Sequence, residues 1–127
     1  MKLRLKDNSL RFRLAQSELA MLIGTGRIEK TIYFGPDEDA SLTYALEHRF
    51  SSKSASIRYQ ASKVTVVLST AEVSTWQGSD QVGIYATLDL GPRGALEILV
   101  EKDYACLDLS DGENIDTFPN PKACALQ

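Results

Sequence analysis

An alternating strand that runs directly into a helix start occurs twice in the sequence, 54 residues apart. The two copies are residues 10–18 and 64–72, and apolar and polar residues alternate through the first positions of each. Alternation with a period of two is typical of a strand that has one buried face. In the second copy, Ser69 and Glu72 have the spacing of a capping box, in which two side chains satisfy free amides of the first helical turn. The sequence therefore predicts a strand-to-helix transition at both places.

The same offset relates much longer stretches of the chain. Residues 2–48 align with residues 56–102 without a gap, and Gly24 and Gly78 fall at the two positions where the helices are predicted to end. Each stretch predicts two strands, a short helix and two further strands. One short helix cannot cover the apolar face of four strands, so the two units must pack together. We therefore predict an α+β fold of two tandem ββαββ units in a pseudo-two-fold arrangement, with mainly antiparallel strands in a sandwich or a partly closed barrel.

Positive charge is concentrated near the start of the chain. Residues 1–35 carry a net charge of +4, and residues 36–127 carry a net charge of −7. The alternation places five cations on one side of the first predicted hairpin, which we call the cationic hairpin face: Lys2, Arg4, Lys6, Arg11 and Arg13. Three interpretations remain open, namely an anion-binding site, a solvated sheet surface, and a surface covered by an acidic segment. A further hypothesis is that Arg4 and its aligned residue Arg58 hold one anion across the pseudo-two-fold axis.

The length of 127 residues fits one domain, which we predict to span residues 1–127. Residues 103–127 follow the last predicted strand and carry five acidic side chains against one lysine. Apolar residues such as Tyr104 and Phe118 are spread through this segment and would anchor it. We therefore expect an irregular but ordered acidic wrap, which would lie across the cationic hairpin face.

Two cysteines, Cys106 and Cys124, lie in this acidic segment. They are either free thiols, a disulfide that closes a loop of about 19 residues, or part of a metal or redox site. A reducing cytosol favours free thiols. Because the chain has a single histidine, His48, and the cysteine spacing matches no zinc motif, we predict no metal and no cofactor.

No apolar run approaches the length of a membrane span, and residues 1–7 lack the continuous apolar stretch of a secretory signal. We therefore predict a cytosolic protein that does not contact membranes. The net charge of −3 disfavours nucleic acid as a partner. The absence of aromatic residues between the cations of the first hairpin weakens a single-strand-binding function further.

Several stretches resemble a family of short bacterial proteins of unknown function. They are residues 2–14 (KLRLKDNSLRFRL), 16–18 (QSE), 42–46 (LTYAL), 101–107 (EKDYACL) and 118–121 (FPNP). The resemblance covers nearly the whole chain and implies an intact single-domain protein. It supplies no activity and no catalytic residue.

The sequence favours a small, non-enzymatic binding module that uses the cationic hairpin face to contact an unknown protein or a small anionic ligand. The first alternative is an enzyme, or a binder of a small anionic metabolite, that uses the cleft between the two units. The second alternative is a weak nucleic-acid binder. The oligomeric state remains open. The polar groups predicted for the cleft are Arg4, Arg58, Glu18, Glu72 and Glu47.

Overall fold

The computed structural model describes residues 1–51, 53–104 and 116–119. Within these residues the chain forms eight strands in two four-stranded sheets, together with two α-helices. The elements run in the order β1 (Lys2–Lys6), β2 (Ser9–Leu14), α1 (Gln16–Thr25), β3 (Arg27–Tyr33), β4 (Ser41–Arg49), β5 (Ala55–Gln60), β6 (Lys63–Ser69), α2 (Thr70–Gln77), β7 (Gly83–Asp89) and β8 (Ala95–Lys102).

Each sheet takes one hairpin from each half of the chain. The strand orders are β1-β2-β8-β7 in the first sheet and β3-β4-β6-β5 in the second. The outer pairings are antiparallel, whereas the central pairings β2–β8 and β4–β6 are parallel. The predicted α+β sandwich with two short helices is confirmed, and the described strands do not close into a barrel. The two halves are more interleaved than predicted, because neither half forms a sheet of its own.

The strand registers of the two sheets follow the predicted offset at the parallel pairings. Ser9 pairs with Glu97 in the first sheet. The residue 54 positions after Ser9 and the residue 54 positions before Glu97 pair with each other in the second sheet. The gap-free alignment is wrong at β7. It matches Val82 with Ile28, and Ile28 pairs with Leu46. In the first sheet, however, the residue aligned with Leu46 pairs with Ile84 and not with Val82. The chain therefore has two additional residues before β7 and a shorter turn after it. A common origin of the two halves stays a prediction.

The helix ends follow local chemistry. The Ser69 side chain accepts a hydrogen bond from the Glu72 amide, as expected for the start of α2. The first helix continues past Gly24 and ends at Gly26, which has a φ of 83° and donates its amide proton to the Leu22 carbonyl. Gly26 is thus the residue that takes the left-handed conformation typical of a helix end. None of the helices in the described part of the chain has the length and apolarity needed to cross a membrane.

One apolar cluster fills the space between the sheets and includes both helices. Trp76 of α2 aligns with the apolar Leu22 of α1, which predicts a core residue. It is completely buried, and its Nε1 donates to the Val82 carbonyl at 3.0 Å. The alternation of apolar residues in the sequence predicts that Leu5, Ile32 and Phe34 point inward, but all three are exposed. Leu5 and Ile32 lie toward the ends of edge strands and Phe34 follows one, so these side chains extend past the core.

Replacing Gly83 by alanine is expected to lower the free energy of unfolding by about 1–2 kcal/mol. A Cβ atom at Gly83 would lie 2.5 Å from the Val100 carbonyl oxygen and 2.9 Å from Glu101 Cγ, so β7 would have to move away from β8. Gly24→Ala is the matched control, because no atom lies within 4 Å of its added Cβ. Alanine in a helix should raise stability there by about 0.5–1 kcal/mol. Urea denaturation measures both changes, and effects of the same sign would contradict the packing of β7 on β8.

Candidate functional site

The first hairpin brings the five predicted cations onto the outer face of the first sheet. Lys2 lies directly opposite Arg13, and Arg4 lies directly opposite Arg11. The intervening residues of β2, such as Phe12, are buried against the core, so the cations point away from it. Like charges at directly opposed positions of an antiparallel pair are destabilising. The hairpin therefore carries two unfavourable cross-strand pairs on one surface.

Two of the five cations have acidic partners on or just after β8. Arg11 Nε lies 2.9 Å from Glu101 Oε1, and Lys2 Nζ lies 2.9 Å from Asp103 Oδ2. Tyr85 of the neighbouring strand donates its hydroxyl proton to Glu101 Oε2 at 2.7 Å. Desolvation of the hydroxyl, together with this hydrogen bond and the charge of Glu101, raises the pKa of Tyr85 to about 12. Tyr85 therefore stays a neutral donor at physiological pH and helps to hold Glu101 beside Arg11.

The other three cations, Arg4, Lys6 and Arg13, form no ion pair with any residue that the structure describes. Arg4 and Lys6 are exposed, and Arg13 is half-buried. A recess of about 170 Å³ is lined by Arg4, Lys6 and Arg11, together with the acidic residue Glu97. This recess is smaller than the 300–1,000 Å³ that is typical of small-molecule sites. The surface is therefore better suited to anionic groups carried by a larger partner.

Arg58 does not join this surface. It lies on β5 of the second sheet, where its Nη2 donates to Glu47 Oε1 at 2.9 Å. Two further arginines bind the same carboxylate: Arg27 Nη1 donates to Oε1 at 2.6 Å, and Arg49 Nε donates to Oε2 at 2.7 Å. The structure thus places Arg4 and Arg58 in different sheets, and Arg58 belongs to a cluster that sequence reasoning missed. We call Arg27, Arg49 and Arg58 the arginine triad.

Glu47 is the centre of the arginine triad, and only 7% of its surface is exposed. Burial by itself would raise the pKa of Glu47. The hydrogen bond and charge of Arg58, and then the charge and hydrogen bond of Arg49, outweigh burial and hold this pKa below its usual value of 4.5. Glu47 is therefore a carboxylate at neutral pH and fixes the three guanidinium groups around it.

Part of this cluster could be predicted from the sequence. Glu47 and Arg49 are two residues apart, so on a strand they share one face, and β4 was predicted from its alternation. Arg27 lies on the adjacent strand directly opposite Glu47. That contact depends on the register of the β3–β4 hairpin, which the sequence pattern alone does not set. Arg58 lies on β5 and reaches the cluster across the surface of β6, which separates β5 from β4.

The described part of the acidic segment packs at the start of α1. Ser17 donates its amide proton to Asp116 Oδ1 at 3.1 Å, and Gln16 donates its amide proton to the Asp116 carbonyl at 2.8 Å. Asp116 thus supplies the helix cap that Ala15, which precedes α1, cannot supply. The Phe118 amide donates to the Asp103 carbonyl at 2.8 Å, which ties the segment to the end of β8.

The prediction that the acidic segment covers the cationic hairpin face is therefore tested only at its start, where Asp103 binds Lys2. Residues 105–115 lie outside the described residues, and so do residues 120–127. Cys106 and Cys124 fall in these two ranges, and their state stays a prediction. Among the described residues, no group of three or more His, Cys, Asp or Glu side chains could hold a metal ion.

Of the five groups predicted for an inter-unit cleft, the structure brings together Arg58 and Glu47, within the second sheet, and places the other three elsewhere. A cleft of about 420 Å³ opens beside the start of α1, and Glu18 is the one member of the predicted set that lines it. There Glu18 pairs with the Met1 amine. Glu72 lines a separate cleft of about 390 Å³ and accepts a hydrogen bond from Ser54 at 3.2 Å. The acidic groups Glu18 and Glu72 therefore line two different clefts, and neither cleft holds the full predicted set.

Two polar side chains extend into the interior at equivalent positions of β4 and β8. His48 Nδ1 lies 2.9 Å from Thr70 Oγ1, at the start of α2. Lys102 Nζ donates to the Ser79 carbonyl at 2.7 Å and lies 5.6 Å from the centre of the Phe118 ring. Burial lowers the pKa of Lys102, and the charge of Asp80 opposes this change. Both side chains link the end of a strand to a neighbouring segment, which is a structural role.

Comparison with protein families shows the family to which the chain belongs. A family model described as a family of unknown function (DUF7009) matches residues 1–122, and the chain belongs to this family. The resemblance to a single-domain family is thereby confirmed, and the bacterial source stays a prediction. No curated protein and no solved structure was found to match the chain.

Proposed function

We propose that this member of the family of unknown function DUF7009 is a cytosolic, non-enzymatic binding module. Its cationic hairpin face contacts an acidic segment of a partner protein. The observation that carries this proposal is the pair of like-charged cross-strand contacts, Lys2 with Arg13 and Arg4 with Arg11. A local arrangement that costs stability is expected where a surface serves a function.

The charge balance of the face supports an anionic partner. Glu101 and Asp103 engage Arg11 and Lys2, whereas Arg4, Lys6 and Arg13 have no acidic partner among the described residues. A carboxylate from a partner would relieve the repulsion within the hairpin and gain charge-assisted hydrogen bonds to arginine. The small volume of the recess, about 170 Å³, favours side chains presented by a macromolecule over an enclosed metabolite.

A protein partner is favoured over nucleic acid for two reasons. The chain has a net charge of −3, so its long-range field repels a polyanion. The outward positions of β1 and β2 hold no aromatic side chain on which bases would stack. A short acidic segment needs only local charge complementarity, which the cationic hairpin face offers.

Titration of the full chain with a short glutamate-rich peptide, followed by ¹H–¹⁵N NMR, is the test. Amide signals of β1 and β2 should shift and saturate. The double variant Arg4→Gln/Arg13→Gln should weaken binding about tenfold, since each charge-assisted hydrogen bond contributes about 1.5–3 kcal/mol before compensation by solvent and salt. Arg93→Gln is the matched control, because Arg93 is exposed and lies in the turn between β7 and β8.

The double variant should also be at least as stable as the parent, because it removes one cation from each like-charged pair. Weaker binding is then not explained by unfolding. Equal affinities of parent and double variant would overturn the proposal. So would hairpin shifts that appear with a single-stranded oligonucleotide and not with the peptide, since these would identify nucleic acid as the partner.

A further inference from the structure

The arginine triad carries more positive charge than its internal partner neutralises. Three guanidinium groups contact the single carboxylate of Glu47. Glu29 adds one carboxylate at the rim, 3.2 Å from Arg27 Nε and 3.9 Å from Lys63 Nζ. Four cations therefore share two carboxylates on the outer face of the second sheet. This local excess of positive charge is independent of the cationic hairpin face on the first sheet.

The triad also has N–H donors that Glu47 does not use. A guanidinium group has five N–H donors. Arg49 uses its Nε for Glu47, and Arg58 uses one Nη, so their other nitrogen atoms have no hydrogen-bond partner among the described residues. The Arg49 side chain is 61% exposed and that of Arg58 is 45% exposed, whereas that of Glu47 is 9% exposed. Glu47 therefore holds the triad from beneath, and the unused donors face solvent.

Glu47 gives this surface the character of a preorganised site. Ordering long side chains is a major cost of binding an anion with arginine, and a guanidinium fixed in advance loses less freedom when the ligand arrives. Arg27 Nη1 and Arg58 Nη2 contact the same oxygen of Glu47, so these two groups are neighbours before any ligand binds. Donors fixed at this spacing suit an anion with several oxygen atoms.

The first sheet offers an internal comparison. Glu101 occupies the position equivalent to Glu47, but Gly83 lies opposite it where Arg27 lies opposite Glu47. The residue two positions after Glu101 is Asp103, whereas the residue two positions after Glu47 is Arg49. Glu101 thus has one arginine partner, Arg11, whereas Glu47 has three. The fold by itself does not require them there.

We propose that the arginine triad is a binding site for a tetrahedral oxyanion, namely the phosphate group of inorganic phosphate or of a small phosphate monoester. Phosphate oxygens accept paired N–H donors from guanidinium groups, and the two negative charges of a phosphate dianion match the local excess. Glu47 is a positioning residue, which fixes the guanidinium groups and does not contact the ligand. Arg49 and Arg58 bind the phosphate oxygens through the donors that Glu47 leaves unused.

The test is a titration of the full ¹⁵N-labelled chain with inorganic phosphate, and separately with glycerol phosphate, at constant ionic strength. The Nε–Hε signals of Arg49 and Arg58 should shift and saturate. Arg49→Gln should weaken binding about tenfold, which corresponds to about 1.4 kcal/mol. Arg49→Lys keeps the charge but loses the fork of donors, so it should restore only part of the affinity.

Saturation by both ligands, or by either one alone, supports the site and identifies the source of the phosphate. Shifts no larger than those given by chloride at the same ionic strength would overturn the proposal. Loss of phosphate binding in Arg4→Gln/Arg13→Gln would also overturn it, because the ion would then occupy the cationic hairpin face. Arg49→Lys is expected to melt like the parent, since Arg49 is mostly exposed and two arginines remain on Glu47. The phosphate site and the proposed function of the hairpin are therefore tested by separate experiments.

Discussion

Trp76→Ala is expected to lower the free energy of unfolding by about 3–5 kcal/mol, a large part of the 5–15 kcal/mol typical of a domain. Trp76 is 0% exposed and is the largest side chain of the core. Its removal leaves a cavity between α2 and the sheets, and the Val82 carbonyl loses the donor that lies 3.0 Å away. Both effects destabilise the folded state. The Val82 carbonyl keeps a second hydrogen bond, from the Lys102 amide at 3.0 Å, so the lost apolar burial is the larger effect.

Trp76→Phe separates the two contributions. Phenylalanine keeps most of the apolar volume but has no N–H group, so we expect a loss of about 1–3 kcal/mol. Urea denaturation should be followed by circular dichroism, because Trp76 is the single tryptophan and its fluorescence disappears in both variants. Met21→Ala, at a 57% exposed position of α1, should change stability by about 0.5 kcal/mol or less. An alanine variant at position 76 that is as stable as Met21→Ala would contradict the buried position of Trp76.

Local patterns in the sequence were enough to predict most of the elements. Alternation with a period of two marks β2, whose buried residues recur at every second position. In β6 the apolar residues Val64, Val66 and Leu68 keep this spacing, although Thr65 and Ser69 are buried as well. The start of α2 follows from Ser69, whose side chain needs only an amide three residues away. Trp76 could be assigned to the core from its place on the predicted apolar face of α2. Each of these features depends on residues that are close in sequence.

The pairing of strands could not be predicted in this way. Alternation shows which face of a strand is buried, but it does not show which strand lies beside it. The parallel pairings β2–β8 and β4–β6 join strands from different halves, so no turn sequence encodes them. The alignment of β7 with β3 was wrong by two residues, because Val82 and Ile84 are both apolar and share one phase of the alternation. Packing against Val100 selects Ile84.

The same distinction applies to the candidate sites. The cationic hairpin face was predicted because a two-strand hairpin fixes which residues share a side. Arg58 was grouped with Arg4 through sequence alignment, yet its contact is with Glu47 across the second sheet. The role of Asp116 at the start of α1 joins residues about 100 positions apart, and no local pattern marks it. Long-range contacts of this kind appear only once the sheets are assembled.

Glu47→Gln is expected to lower the free energy of unfolding by about 2–4 kcal/mol at pH 7, because it leaves the arginine triad without its central negative charge. Glutamine keeps the shape of the side chain, so the loss reports the charge. Glu29→Gln is the matched control on the same face. The Glu29 side chain is 44% exposed, and its removal should cost about 0–1 kcal/mol.

The effect of Glu47→Gln should also depend on pH in a defined direction. The folded-state pKa of Glu47 lies below the usual value of 4.5, so the folded protein binds this proton less tightly than the unfolded chain does. The stabilisation by Glu47 is therefore fully present above pH 4.5 and is lost as the pH falls through the folded-state pKa. Parent and Glu47→Gln should converge in stability as the pH falls below the folded-state pKa, since protonated Glu47 and glutamine are both neutral. Urea denaturation over this pH range is the measurement. A difference that stays constant with pH, or grows on acidification, would show that the Glu47 charge does not hold the arginine triad in place.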